Sequence, residues 1–289
     1  MTVWTEIAQA IRAATGDPFE VRDRRSVGGG SINQAYCVRD GDRVYFVKLN
    51  QASELPMFEA EALGLKEIHQ SHTITVPAPL TWGIADTSAY VVLSWLDLGG
   101  SRGAAGWYQM GQQLAAMHRV TSSQGFGWIQ NNTIGATLQR NPWTERWVEF
   151  YTEHRLRFQF QLARRRGGHF PQSDELLAAI PGLLAGHDPE PSLVHGDLWS
   201  GNAAVTATGE PVILDPAVYY GDREVDLAMT ELFGGFPGAF YEGYEATYPL
   251  DSGYRQRKTL YNLYHIVNHF NLFGGGYGSQ ANRMIQQLL

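Results

Sequence analysis

Apolar and polar positions change their spacing near residue 95, and that change splits the chain into two kinds of structure. Over residues 4–15, Trp4, Ile7, Ala8 and Ile11 share one helical face, and Gly16 ends the pattern. Strand-like segments follow at 19–27, 32–38 and 44–49, the last two flanking Arg39-Asp40-Gly41-Asp42, where Asp-Gly signals a tight hairpin. Ser53 is placed to cap a helix running to about Gln70, with Phe58, Ala62, Leu65 and Ile68 on its buried side. Two further strands, 80–84 and 89–95, complete an expected five-stranded, mainly antiparallel sheet with one packed helix. Past Gly99-Gly100 the spacing becomes helical, with helices predicted at 104–119, 142–166, 173–186, 223–234, 237–247, 254–273 and 278–288. The exception is 193–215, where short apolar runs alternate with polar clusters, and Gly209 between 203–206 and 212–214 predicts a small hairpin. The fold class is therefore α+β, divided into a sheet region at 1–95 and a mainly helical region at 96–289.

Composition narrows the possible partners. The 289 residues are 44% hydrophobic and 18% charged, which excludes a disordered chain. Lys plus Arg number 22 against 29 Asp plus Glu, and a net charge of −7 argues against nucleic acid as a partner. Arg164-Arg165-Arg166 before Gly167-Gly168 reads as the cationic end of a helix. A single cysteine, Cys37, excludes an internal disulfide and a cysteine-based zinc site. The N-terminus lacks the pattern of a signal peptide and no apolar run approaches a membrane span, so a cytoplasmic location is expected, with no membrane partner.

Chemistry concentrates in the irregular segment. His195-Gly196-Asp197-Leu198-Trp199-Ser200-Gly201-Asn202 has the spacing H-x-D-L-x-x-x-N, and Val212-Ile213-Leu214-Asp215 ends an apolar strand in a carboxylate. Phosphoryl transfer needs a carboxylate to accept the attacking hydroxyl's proton and hard oxygen ligands for Mg²⁺. Asp197 suits the first task; Asn202 and Asp215 suit the second. Upstream, Gly28-Gly29-Gly30-Ser31-Ile32-Asn33 lies between two strand patterns, where glycines let backbone N–H groups approach phosphate oxygens. Lys48 sits in the apolar strand Tyr45-Phe46-Val47-Lys48-Leu49, where an unpaired charge costs several kcal/mol. Its partner is expected on the following helix: Glu61 first, Glu59 second.

Together these stretches resemble the small-molecule branch of the protein-kinase-like fold. Asp215 is followed by Pro-Ala, not Phe-Gly, and no Ala-Pro-Glu closes an activation segment. Within that branch the chain resembles the fructosamine kinase (ketosamine-3-kinase) family. The likeness rests on Gly28–Ala35, Phe58–Glu61, His195–Asn202 with Trp199, Asp215–Met229 and Tyr261–Tyr277. Some relatives carry a cysteine where Ser31 stands, so redox control of that loop is not carried over. The resemblance implies a two-lobed enzyme that uses ATP and Mg²⁺ to phosphorylate the O3 hydroxyl of ketosamines, free or protein-linked. The unstable product then releases the amine, which amounts to deglycation. Ribulosamine-type short-sugar adducts are expected ahead of fructosamines.

In that scheme Asp197 is catalytic, Asn202 and Asp215 hold Mg²⁺, and Lys48, oriented by Glu61, clamps the ATP phosphates. Gly29, Gly30 and Ser31 cover the phosphates, while Ser94 and Leu96 lie against adenine. Trp199 offers a stacking face to the substrate, and Asp222 or Glu224 meets its amine. The rival functions are an aminoglycoside-type phosphotransferase and a nucleotide-binding pseudokinase. Asp226 is expected to bond the catalytic loop backbone. His265 and His269, at i and i+4, lack a companion ligand and are read as packing or pocket-shaping residues. Trp128, Trp143 and Trp147 are assigned to packing.

Overall fold

The computed structural model describes residues 2–28, 32–99 and 103–289. Helix α1 (Val3–Thr15) begins at Thr2, whose hydroxyl accepts from Thr5 N, and ends at Gly16 with φ +78°. Strands β1 (Asp23–Ser26), β2 (Gln34–Asp40) and β3 (Arg43–Gln51) follow, then helix α2 (Leu55–Ser71), β4 (Pro79–Ala85) and β5 (Ser88–Ser94). They form one antiparallel sheet in the order β1-β2-β3-β5-β4. The Asp-Gly turn joins β2 to β3, with Asp40 paired to Arg43 and Gly41 at φ +61°.

Strand alternation sends Val91 and Leu93 to one face, where they pack with Phe58, Ala62, Leu65 and Ile68 of α2. Tyr90 and Val92 point the other way, joining Val38, Val47 and Leu49 against Ile7, Ala8 and Ile11 of α1. The sheet thus has a helix on each face, one more than expected. Burying each large side chain here contributes about 1.5–3 kcal/mol. Two details differ from the sequence reading. The first strand is only four residues long, and Ser53 sits in a 3₁₀ turn (Ala52–Glu54) rather than capping α2. Pro56 near the start of α2 helps fix it instead, because its missing N–H is one that needs no helical partner.

Beyond residue 103 come α3 (Ala104–Met117), β6 (Asn132–Ile134), β7 (Thr137–Gln139), α4 (Trp147–Phe150), a π-helical stretch (Tyr151–Arg157), α5 (Phe158–Arg165) and α6 (Ser173–Leu183). The helix expected at 142–166 therefore starts later and is wound wider in its middle. The arginine run ends α5 as expected: Gly167 stands at φ +79° and Gly168 N bonds Ala163 O at 2.8 Å. Next are β8 (Ser192–Val194), β9 (Ala203–Val205), β10 (Pro211–Ile213) and β11 (Tyr219–Gly221), then α7 (Glu224–Leu232), α8 (Gly238–Thr247), α9 (Tyr254–Phe273) and α10 (Tyr277–Leu288). The anticipated hairpin is β9–β10; the β6–β7 hairpin and the β8–β11 pair were not anticipated.

Trp128 and Trp147 are buried in the main core, while Trp143 is half-buried beside Tyr220. Cys37 is buried and unpaired. The β9–β10 hairpin is fastened to the sheet region through Ile213 N on Thr75 O at 3.1 Å, and to the segment just past β5 through Ala207 N on Asp97 O at 2.8 Å. That anchorage holds one side of a cleft against the other. Among the described residues no helix is long and apolar enough to cross a membrane.

Candidate active site

A cavity of about 700 Å³ lies between the sheet and the helical region. Lys48 reaches it from β3, where it pairs in register with Val91 and so faces α2. Its Nζ lies 2.7 Å from Glu61 Oε1 and 2.6 Å from Asp215 Oδ1. Burial by itself would lower the Lys48 pKa, but the two carboxylates outweigh it and hold the ammonium above its ordinary value. Glu59, the second-choice partner, is exposed. Asp215 adopts φ +51°, one of three non-glycine left-handed residues among those described. Such conformations cost about 1–3 kcal/mol and gather at functional sites.

Across the cleft, the loop after β8 is pinned from behind by Asp226 of α7. Its carboxylate accepts from His195 N at 2.7 Å, Gly196 N at 2.8 Å and His118 Nε2 at 3.0 Å. Burial opposes the Asp226 charge, yet these donors and the nearby imidazoles hold its pKa below the ordinary value. The structural role expected for Asp226 is thus borne out, and His118 joins it. Gly196 is required here: at φ +81°, a Cβ would stand 2.2 Å from Ala217 O. The His195 side chain is buried, which lowers its pKa and keeps it neutral. Its Nε2 donates to Leu214 O at 2.8 Å and its Nδ1 accepts from Asp197 N at 3.2 Å, which ties the Asp197 loop to the strand leading to Asp215.

Asp197 itself is pushed up to about 7, first by burial and then by the charges of Asp215 and Asp226. Asn202 donates through Nδ2 to Asp197 O at 2.9 Å and, more weakly, to Asp197 Oδ2 at 3.4 Å. Its Oδ1 stays available, and with the half-exposed Asp215 carboxylate it forms a set of hard oxygen donors that fits Mg²⁺. Trp199 lines the cleft at 39% exposure, which favours a stacking face over core packing. Its ring meets Phe233 edge-on at 6.5 Å, and Phe233 in turn meets His269 at 4.7 Å.

Ser94 and Leu96 line the cleft. The Ser94 hydroxyl accepts from Ala78 N at 2.9 Å, which ties it to the strand entry. Gly29, Gly30 and Ser31 lie outside the described residues. The structure does not bring Asp222 to the cleft. It is buried elsewhere, 2.6 Å from His187 Nε2, with Tyr261 and the Glu224 backbone as further partners. Glu224 is likewise withdrawn, bridged twice by Arg257 at 2.6 and 2.7 Å. This His187–Asp222–Glu224 group is the metal-capable cluster among the described residues, but its acids are already satisfied by Arg257 and Tyr261. His265 and His269 form no metal pair, since His269 Nδ1 bonds His265 O at 2.8 Å. Burial lowers His265 to about 3.

Sequence reasoning missed His118 and the β6–β7 hairpin, whose Asn132, Thr133 and Gly135 line the cleft.

The fructosamine kinase family model matches residues 3–289. The chain belongs to the fructosamine kinase family. A Synechocystis protein named probable ketoamine kinase is 58% identical over 286 residues, covering 99% of this chain and 97% of that protein. The chloroplastic protein-ribulosamine 3-kinase of Arabidopsis thaliana is 44% identical over 279 residues, covering 95% and 85%. A crystal structure assigned to the fructosamine-3-kinases, from Haemophilus somnus 129PT, superposes with a TM-score of 0.93 at 28% identity, covering 99% of this chain and 97% of the other. Spectinomycin phosphotransferase shares the fold alone, with a TM-score of 0.61 at 14% identity. The protein-kinase-like fold expected from the sequence is thus the fold of this family member.

Proposed function

We propose that the protein is an ATP-dependent ketosamine 3-kinase that phosphorylates the O3 hydroxyl of ribulosamine and related sugar–amine adducts. The observation that carries this reading is one cleft in which Lys48, Glu61 and Asp215 face Asp197 and Asn202, in a fructosamine kinase family member. The names of the cyanobacterial and plant relatives favour ketosamines over antibiotics as acceptors. Residues 1–95 are taken as the nucleotide lobe and 96–289 as the catalytic lobe.

Lys48, held by Glu61, turns to the α- and β-phosphates of ATP, while Gly29 to Ser31 cover them and the chain at Ser94–Leu96 borders adenine. Asp197 accepts the proton of the sugar hydroxyl as the new O–P bond forms and the bond from the γ-phosphorus to ADP breaks. Asn202 and Asp215 hold Mg²⁺, which when bound neutralises charge on the phosphates. Trp199 presents its face to the sugar or its amine. Asp222 takes no part, because it lies buried outside the cleft.

The test is mass-spectrometric detection of added phosphate with Mg-ATP on lysine-linked ribulosamine, lysine-linked fructosamine and an aminoglycoside. Phosphate on a ketosamine is the expected result. Phosphate on the aminoglycoside alone overturns the acceptor assignment, and nucleotide binding without turnover on any acceptor points to a pseudokinase.

A further inference from the structure

Arg155 sits in the π-helical stretch and is fully buried, yet among the described residues no carboxylate pairs with it. A buried guanidinium is costly unless its donors are well used. Here Nη1 donates to Arg140 O at 2.6 Å and His154 O at 3.2 Å, and Nη2 donates to Asn141 Oδ1 at 2.8 Å. Its Cζ lies 4.0 Å from the Tyr219 ring centre and 4.4 Å from that of Phe150. The chain of contacts continues towards the cleft. Asn141 Nδ2 donates to Asn132 Oδ1 at 2.9 Å, and Asn132 Nδ2 donates to Val218 O at 2.8 Å. Gln139 Nε2 bridges Asn132 Oδ1 at 2.9 Å and Ala217 O at 3.0 Å, while Tyr264 donates to Gln139 Oε1 at 2.7 Å.

This buried network fastens both strands of the β6–β7 hairpin to the segment that leaves Asp215. That segment is in turn bonded to the catalytic loop through Ala217 N and His195 O at 2.8 Å. The hairpin tip faces Ile32: a Cβ on Gly135 would lie 3.6 Å from Ile32 Cδ1. Thr133 stands half-exposed on the cleft side of β6, where no described side chain hydrogen-bonds its hydroxyl. We propose that the β6–β7 hairpin is the acceptor wall of the cleft, with Thr133 as a substrate-hydroxyl ligand and Arg155 as the positioning residue that holds the wall through Asn141 and Asn132. The substrate part of this inference rests on the ketosamine reading above; the positioning part does not.

The experiment compares wild type with Arg155→Met, Arg155→Lys and Thr133→Val. Initial rates are measured against ketosamine at saturating Mg-ATP and against ATP at saturating ketosamine, with amide hydrogen exchange of residues 130–141 and 217–221. Arg155→Met raises the ketosamine KM about tenfold or more, since small misplacements of reactants are expensive, and moves the ATP KM less than about twofold. Exchange rises in the two segments ahead of the rest of the chain. Arg155→Lys, which keeps donors for Arg140 O and Asn141, recovers part of both effects. Thr133→Val raises the ketosamine KM several-fold with exchange unchanged. A uniform fall in kcat with both KM values intact, or exchange that rises evenly across the chain, overturns the positioning role. An unchanged ketosamine KM in Thr133→Val overturns the wall assignment. If wild type phosphorylates no ketosamine, the function proposed above fails, and the exchange data alone decide whether Arg155 holds the hairpin.

Discussion

At the scale of single residues, two charges define the chemistry, and their environments push them in opposite directions. Lys48 is buried between two acids and stays charged, whereas Asp197 is buried near two acids and resists ionisation up to about pH 7. A general base must be a carboxylate to accept a proton, so kcat/KM for the acceptor rises with pH through an inflection near 7 and falls away below it. A flat profile between pH 5.5 and 8.5 would remove Asp197 from the base role. Asp197→Asn lowers turnover by at least about a hundredfold while ATP affinity, followed by calorimetry, is retained. Loss of both together makes Asp197 a structural residue. The same raised pKa carries a stability consequence. Its folded value lies above the unfolded one, so the folded protein binds the extra proton between about pH 4 and 7 and loses stability as pH rises through that window. Without nucleotide or metal, Asp197→Asn therefore melts higher than wild type at pH 8, and the difference disappears near pH 4. An equal melting temperature at pH 8 would mean that solvent screens the carboxylate fully.

At the scale of elements, the catalytic loop depends on a helix crossing that contains none of its residues. Helices α3 and α8 meet at two glycines: a Cβ on Gly111 would stand 2.0 Å from Phe240 O, and one on Gly243 would stand 2.0 Å from Tyr108 O. This close approach brings His118, just past the end of α3, within 2.7 Å of Tyr244 on α8 and presents its other nitrogen to Asp226. Gly111→Ala forces the helices apart and destabilises the protein by about 1–3 kcal/mol, as overpacking does. Chemical denaturation measures this, and Gly106→Ala on the same helix, where an added Cβ meets Val205 Cγ2 at an ordinary 3.6 Å, serves as the tolerated control. Equal stability of the two variants would refute the crossing as a constraint. None of this was legible in the sequence, because glycine in a helical pattern looks the same whether it permits a crossing or merely weakens a turn. Lys48 and Glu61 were legible, since a lysine in an apolar strand demands an acid and the helical period placed one at the right face. The H-x-D-L-x-x-x-N loop was legible through its spacing. The three-residue strands β6, β7, β8 and β11 were not, being too short to display a period of two. Asp222 misled because closeness to Asp215 in sequence hid strand β11, which runs between them and carries Asp222 away from the cleft.

At the scale of the whole molecule, the ion pair between Lys48 and Asp215 spans the cleft from sheet to helical region at 2.6 Å. Lys48 is shared between Glu61 and Asp215, so the two sides are joined through an ammonium for which nucleotide phosphates would compete. On the proposed assignment, ATP alone would draw Lys48 to its phosphates and leave Asp215 facing more negative charge. On the assignment proposed above, Asp215 and Asn202 would hold a Mg²⁺ ion that offsets this charge. Stabilisation by ligand should consequently depend strongly on the metal. At a hundredfold excess over Kd, Mg-ATP adds about 2.7 kcal/mol, which for a chain of this size raises the melting temperature by roughly 5 °C. ATP with excess chelator gives a clearly smaller shift at the same concentration. Asp215→Asn removes the repulsion and the metal ligand together, so its shift with ATP alone approaches its shift with Mg-ATP. If wild type shows equal shifts with and without Mg²⁺, Asp215 and Asn202 do not form the metal site, and the cleft holds nucleotide by another arrangement.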